Sequence, residues 1–193
     1  MAIADGVTEN TDEMPILAPV PVPADWAGFY AGLSYGQADG DLNFYSAPGV
    51  FDNGPYFADG NLKGIFAGYN FQHGNFVYGG ELSKMFGDVQ WETDGAYEDI
   101  IDLKARVGYA FGNALLYGTR GYSYSKFAET NRPLQSMSGP GYGIGVDYLI
   151  AERYLIGVEY YRRDLNGTLD DAPTFEMDNS GVDTRTIRFA MQF

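Results

Sequence analysis

Thr184-Arg185-Thr186-Ile187-Arg188-Phe189-Ala190-Met191-Gln192-Phe193 alternates without a break. Ile187, Phe189, Met191 and Phe193 make one apolar face; Thr184, Thr186, Arg188 and Gln192, with the small Ala190, make the other. Period-two alternation is the mark of a strand with one dry face and one polar face. The sequence ends on this strand. Such an ending suits a closed barrel, in which the last strand pairs with the first and no edge is left open. The sharp polarity split is expected to put lipid on one side.

Seven further segments read the same way, at about 27–37, 62–72, 75–86, 100–111, 114–126, 141–149 and 153–164. The cleanest is the fourth, where Ile101, Leu103, Ala105, Val107, Tyr109 and Phe111 oppose Asp102, Lys104, Arg106, Gly108 and Ala110. The fifth mixes aromatic and polar residues on both faces. Its expected arrangement is Leu115, Tyr117 and Thr119 outward, with Arg120, Tyr122 and Tyr124 inward. Tight turns are expected at His73-Gly74, Gly112-Asn113 and Ile150-Ala151-Glu152. The other links are long, at about 38–61, 87–99, 127–140 and 165–181. Short turns at one end and long loops at the other give an all-β, eight-stranded antiparallel up-and-down transmembrane β-barrel over 26–193.

Composition fits. The 193 residues include 26 Gly, 16 Tyr and 13 Phe but no Cys, so disulfides and thiolate chemistry are excluded. No stretch approaches the ~18 apolar residues of a membrane helix, whereas transmembrane strands need only ~9–11 alternating ones. The net charge of −14 argues against nucleic acid as a partner. Residues 1–25 are acidic, then run Pro15-Ile16-Leu17-Ala18-Pro19-Val20-Pro21-Val22-Pro23, the pattern of a loosely tethered arm in extended polyproline geometry. A periplasmic linker and a partial plug are its functional readings.

Alternation alone does not say which face is inside. A soluble ligand-binding barrel would turn its apolar face inward. Here the apolar faces carry Tyr and Phe near strand ends, as interfacial girdles do. The other faces combine glycine with matched charges: Glu81, Asp102, Asp147 and Glu159 against Lys104, Arg106, Arg120 and Arg188. Charges inside a barrel must pair or stay wet, because an isolated buried charge costs several kcal/mol. An eight-stranded barrel is about filled by its own side chains. A salt-bridged plug is therefore the leading reading of this network, and a narrow conductance path the other.

Asp25-Trp26-Ala27-Gly28-Phe29-Tyr30-Ala31-Gly32 resembles the opening motif of small outer-membrane β-barrel proteins of alphaproteobacteria, the Omp25/Omp31-like porin family, related in fold to the OmpA transmembrane domain. The resemblance covers about 26–193. Phe189, Met191 and Phe193 look like the carboxy-terminal signal read by the barrel assembly machinery. The resemblance implies a bacterial outer-membrane location and contact with lipopolysaccharide and other envelope proteins. The roles it implies are envelope integrity, surface interaction and, in some members, small-solute passage. Met1-Ala2-Ile3-Ala4-Asp5-Gly6 lacks the basic start and apolar stretch of an export signal, so that signal is expected to have been removed.

Catalytic, cofactor and metal sites are not expected. His73 is the single histidine and falls in a tight turn, with no motif supplying a partner. A lipid-modifying barrel of the deacylase type relies on a His near a Ser on the outer side, whereas His73 is expected on the periplasmic side. Gly139-Pro140-Gly141-Tyr142-Gly143-Ile144-Gly145 opens no helix and reads as room for bulky neighbours, not as a nucleotide-binding loop. The long loops are acidic: Asp39, Asp41, Asp52 and Asp59; Asp88, Glu92, Asp94, Glu98 and Asp99; Asp170, Asp171, Glu176 and Asp178. A solvated surface is the plain reading, and collection of Ca²⁺ or Mg²⁺ the functional one.

Overall fold

The computed structural model describes residues 24–46, 50–87, 89–91, 95–129, 132–168 and 175–193, with side chains described outside 41–59, 88–98, 127–135 and 168–180. The strands are β1 (Gly28–Ser46), β2 (Val50–His73), β3 (Phe76–Phe86), β4 (Val89–Trp91), β5 (Gly95–Phe111), β6 (Ala114–Glu129), β7 (Arg132–Ile150), β8 (Tyr154–Thr168) and β9 (Phe175–Gln192). β4 continues the course of β3 between β2 and β5, so nine segments form eight staves. All neighbours are antiparallel, and β1 pairs with both β2 and β9. Leu33 lies opposite Phe189 on one side and Ile65 on the other, and the Phe193 N–H donates to the Phe29 carbonyl at 2.8 Å. The last strand therefore closes on the first.

The short turns fall where the sequence places them. His73 pairs with Phe76 across Gly74-Asn75, and Phe111 with Ala114 across Gly112-Asn113. Gly74 and Gly112 have φ of +60° and +62° at the first central position, the type II′ pattern, which matches the twist of the flanking strands.

The long links are shorter than expected, because pairing continues into them. β1 and β2 stay paired to Ser46 opposite Val50, with a register shift between Leu42 and Phe44, and β8 and β9 to Thr168 opposite Glu176, with one between Leu165 and Gly167. Beyond lipid and core, neither face of a strand needs to be apolar, so alternation stops. The backbone groups still need partners, so the ladder goes on. Residues 1–23 of the expected arm lie outside the described residues. Ala24 and Asp25 do not belong to a loose arm: Ala24 is buried, and the carbonyls of both accept side-chain hydrogen bonds from the barrel.

The facing of the fifth expected strand, β6, is the reverse of the sequence expectation. Leu115, Tyr117 and Thr119 are buried in the lumen, while Arg120, Tyr122 and Tyr124 face outward. Tyrosine suits either a lipid interface or a hydrogen-bonded interior, so this strand's own pattern is ambiguous. Its neighbours decide. Tyr117 lies opposite Gly108 and Gly145, whose missing side chains leave room for the ring inside. Arg120 lies opposite Ala105 and Tyr142, both exposed. An arginine on the lipid face costs about 2–4 kcal/mol at mid-depth and little near the interface. Arg120 lies opposite Tyr142 toward the hairpin-side interface, so Arg120→Leu is expected to stabilise the barrel by up to about 1 kcal/mol in urea unfolding from phosphatidylcholine vesicles. An inward Arg120 would give a loss instead.

Twenty-nine large apolar or aromatic side chains are exposed among the described residues. That is far more than the single patch of a few hundred Å² that a soluble monomer carries. Leu33, Ile65, Leu82, Leu103, Val107, Ile144, Ile156 and Ile187 form the middle of the belt. Toward the short turns, Tyr69–Phe71, Phe71–Tyr78, Phe76–Tyr109 and Tyr109–Phe111 pack with ring centroids 4.7–5.6 Å apart. Toward the long hairpins stand Tyr35, Phe86, Tyr122 and Tyr142. An apolar band between two aromatic girdles is the exterior of a transmembrane barrel, and a soluble ligand-binding barrel is excluded.

Candidate functional site

Among the described residues, the lumen is filled by side chains. Its centre is a ring of charges on β3, β5, β8 and β9. Lys104 Nζ lies 2.6 Å from Glu159 Oε1 and 3.1 Å from Glu81 Oε1. Arg188 spans the same two carboxylates, with Nη2 at 2.5 Å from Glu81 and Nη1 at 2.7 Å from Glu159. Two bases thus clamp two acids. On the short-turn side, Arg106 pairs with Asp147 at 2.7 Å and donates to the Tyr30 hydroxyl at 3.0 Å; Tyr30 donates in turn to Glu81 at 2.9 Å. Tyr117 donates to Glu159 at 3.2 Å, and its ring lies under the Arg106 guanidinium at 3.9 Å. Arg188 stacks on Phe66 at 4.1 Å. All six charged groups are 4% exposed or less. A water-filled channel would leave them accessible.

A second, separate pair sits nearer the hairpins. Arg163 on β8 grips Asp102 on β5 with Nε and Nη2, each at 2.7 Å. Ser83 and Ser123 donate to the same carboxylate at 3.1 and 2.7 Å, and Arg163 Nη1 donates to Thr184 at 3.0 Å. Asp102 and Arg163 are both 0% exposed. Between the two layers lies Tyr161, with Lys104 4.8 Å and Arg163 4.7 Å from its ring centroid. The glycines that face Tyr161 are required there. A Cβ at Gly121 would lie 2.7 Å from the Tyr161 hydroxyl, and one at Gly143 2.8 Å from its ring.

Apolar layers bound the charges at both ends. Toward the hairpins, Ala38, Leu62, Met85, Ile100, Met137, Leu165 and Val182 are buried. At the short-turn end the segment 24–27 crosses the barrel mouth, and Trp26 is packed in a cluster with Val77, Ala110, Leu115, Leu149, Leu155 and Ala190. Gln72 and Gln192 hold this segment in place. Gln72 accepts from the Trp26 N–H at 2.6 Å and donates to the Ala24 carbonyl, and Gln192 donates to the carbonyls of Asp25 and Ala27. The Trp26 indole donates to the Gly112 carbonyl at 3.2 Å.

Of the expected lumen charges, Glu81, Asp102, Lys104, Arg106, Asp147, Glu159 and Arg188 lie inside, and Arg120 lies outside. Its place as the fourth base is taken by Arg163, which the sequence reading omitted. The signal was available: Glu159, Tyr161 and Arg163 are alternate residues of one strand. Among the described residues the lumen holds four acids and four bases, whose formal charges cancel. His73 is exposed at the end of β2. Asp39 pairs with Arg185 and Asp99 with Lys84 outside the barrel, and the other loop carboxylates named above as cation candidates lie outside the described side chains. Phe189 on β9 and Phe193 just after it are exposed, and Met191 is half-buried between them.

Residues 16–192 match the outer membrane protein β-barrel domain family. The 25 kDa outer-membrane immunogenic protein of Brucella canis is 30% identical, over 98% of this chain and 88% of its own length. The 22 kDa outer membrane protein of Rhizobium leguminosarum bv. viciae is 27% identical, over 76% and 68%. Among solved structures, Neisserial surface protein A superposes with a TM-score of 0.54 at 14% identity, over 86% of this chain and 98% of its own, a likeness of fold.

Proposed function

Because the chain belongs to the outer membrane protein β-barrel family, we propose that it serves as a sealed, non-catalytic barrel of the bacterial outer membrane. In this reading it is exported with its signal removed, and it presents acidic hairpins for structural and surface contacts in the envelope. The observation that carries the reading is the lumen. Eight charged side chains are paired within it at 0–4% exposure, between two apolar layers. An ion crossing this column would have to break the Lys104–Glu159 and Arg188–Glu81 contacts and displace Trp26. Breaking one such buried pair costs about 3–5 kcal/mol, too much for an ungated path. Catalysis is equally unsupported by the geometry, since each buried carboxylate is paired with a cationic side chain and is 4% exposed or less. The outward Phe189, Met191 and Phe193 on the closing strand are proposed as the feature read by the assembly machinery.

The test is planar-bilayer recording on the refolded chain. The expected result is a baseline without unitary steps. Discrete steps whose size or ion selectivity changes in Glu81→Gln or Arg106→Gln would favour a small porin instead.

A further inference from the structure

The outward basic residues are not spread evenly over the barrel. Lys63, Lys84, Arg120, Lys126, Arg162 and Arg185 lie on the outward face toward the long hairpins, and Arg153 alone among the described bases sits at the short turns. Several of these bases are neutralised locally. Lys84 pairs with Asp99 at 2.9 Å, Arg162 with Asp183 at 3.1 Å, and Arg185 with Asp39. Lys63 has no carboxylate partner among the described residues. It stands on β2 directly between two girdle aromatics, opposite Tyr35 on β1 and Phe86 on β3.

Below Lys63, on the side of the short turns, the lipid face is grooved. The groove has a volume of about 550 Å³ and is walled by Leu33, Ile65, Ile187 and Phe189, with Tyr35 and Phe86 near its hairpin end. Register fixes this order. Leu33 lies opposite both Ile65 and Phe189, and Tyr35, one step nearer the hairpins on the same face, lies opposite both Lys63 and Ile187. Gly64 and Ser34 form part of the floor, where small side chains deepen it. The groove is thus an apolar channel of acyl-chain character that ends at an ammonium with no carboxylate partner among the described residues.

We propose that this groove seats an anionic lipid, with one acyl chain along Leu33, Ile65, Ile187 and Phe189 and its phosphate on Lys63. Charge complementarity selects the occupant. An apolar groove alone would take any lipid chain, but an unpaired ammonium at the aromatic girdle favours a phosphate that brings net negative charge. A zwitterionic headgroup carries its own cation and gains less. The proposal rests on the reading of the chain as a membrane-spanning barrel.

The experiment is native mass spectrometry of the full chain, refolded in detergent with equal amounts of phosphatidylglycerol and phosphatidylcholine of identical acyl chains. A cation near a membrane surface contributes about a five-fold preference for anionic lipid. The wild type is expected to retain phosphatidylglycerol over phosphatidylcholine by about that factor. Lys63→Gln is expected to abolish the preference and Lys63→Arg to restore it, while Lys126→Gln, the same charge change on β6, leaves it intact. Equal loss in Lys63→Gln and Lys126→Gln would overturn the site in favour of a diffuse charge effect, as would no preference in the wild type. Displacement of the lipid by equimolar inorganic phosphate would overturn the acyl-chain component. Folding is checked in each sample by the shift between unheated and heated gels, so a failure of the barrel reading shows there and not in the lipid ratio.

Discussion

Arg163→Leu is expected to cost about 3–5 kcal/mol of folding free energy, read as a lower urea midpoint for unfolding from lipid vesicles. Asp102 is held by two 2.7 Å bonds from Arg163 and by two serine hydroxyls, and neither partner of the pair touches solvent. Leucine would fill part of the space of the arginine stem. It would leave the carboxylate with two neutral donors and, as its remaining cation, the more distant Lys104. The cost is that of stranding a charge, so removing both partners should cost less than the sum of the single changes. Asp102→Asn combined with Arg163→Leu is expected to recover at least about 1–2 kcal/mol relative to additivity. A loss below about 1 kcal/mol in Arg163→Leu alone would mean that water reaches Asp102. The contrast with Arg120→Leu is the sharper control, since that arginine, expected inside from sequence, should give the opposite sign.

Trp26→Ala is the second large effect, expected at about 3–5 kcal/mol from lost burial and the cavity it leaves. The indole is 1% exposed, and its neighbours Ala110, Leu115, Leu149 and Leu155 come from four strands, so no single rearrangement closes the gap. The indole N–H bond to Gly112 is lost as well. Trp26→Phe keeps most of the volume and loses only that bond, so it should cost about 1–2 kcal/mol. The cost of Trp26→Ala should also be accompanied by faster hydrogen exchange at the short-turn ends of β6 and β8, where Leu115 and Leu155 would face water. Unchanged stability and exchange in Trp26→Ala would show that the segment 24–27 merely rests on the barrel.

The barrel is legible because a lipid-facing strand obeys a two-residue alternation, which every stave but β6 shows cleanly. The terminal row Ile187, Phe189, Met191 and Phe193 and its pairing with β1 follow from that alternation. The family follows from the motif around Trp26 to Gly32, and the match over residues 16–192 agrees. Facing failed where the residue type does not discriminate. Tyr117 and Tyr122 lie on opposite faces of one strand, and tyrosine is at home on either. Charge balance survived that error, because moving Arg120 out and Arg163 in keeps four bases in the lumen. The Trp26 seal was not legible, since it depends on where a non-alternating segment folds back and on Gln72 and Gln192, which are distant in sequence. The hairpin extensions were hidden for a related reason. Backbone pairing outside the membrane leaves no alternation to read.

A lumen closed to water is tested directly by a single introduced cysteine, because the sequence has none of its own. Thr119 faces the lumen on β6, is 8% exposed, and its hydroxyl makes no hydrogen bond within the protein. Thr119→Cys, refolded into vesicles and treated with a small water-soluble maleimide, is expected to stay unlabelled while folded and to label fully in urea. Labelling of the folded barrel at the rate of a cysteine placed in an exposed turn, such as Glu152→Cys, would contradict a sealed interior.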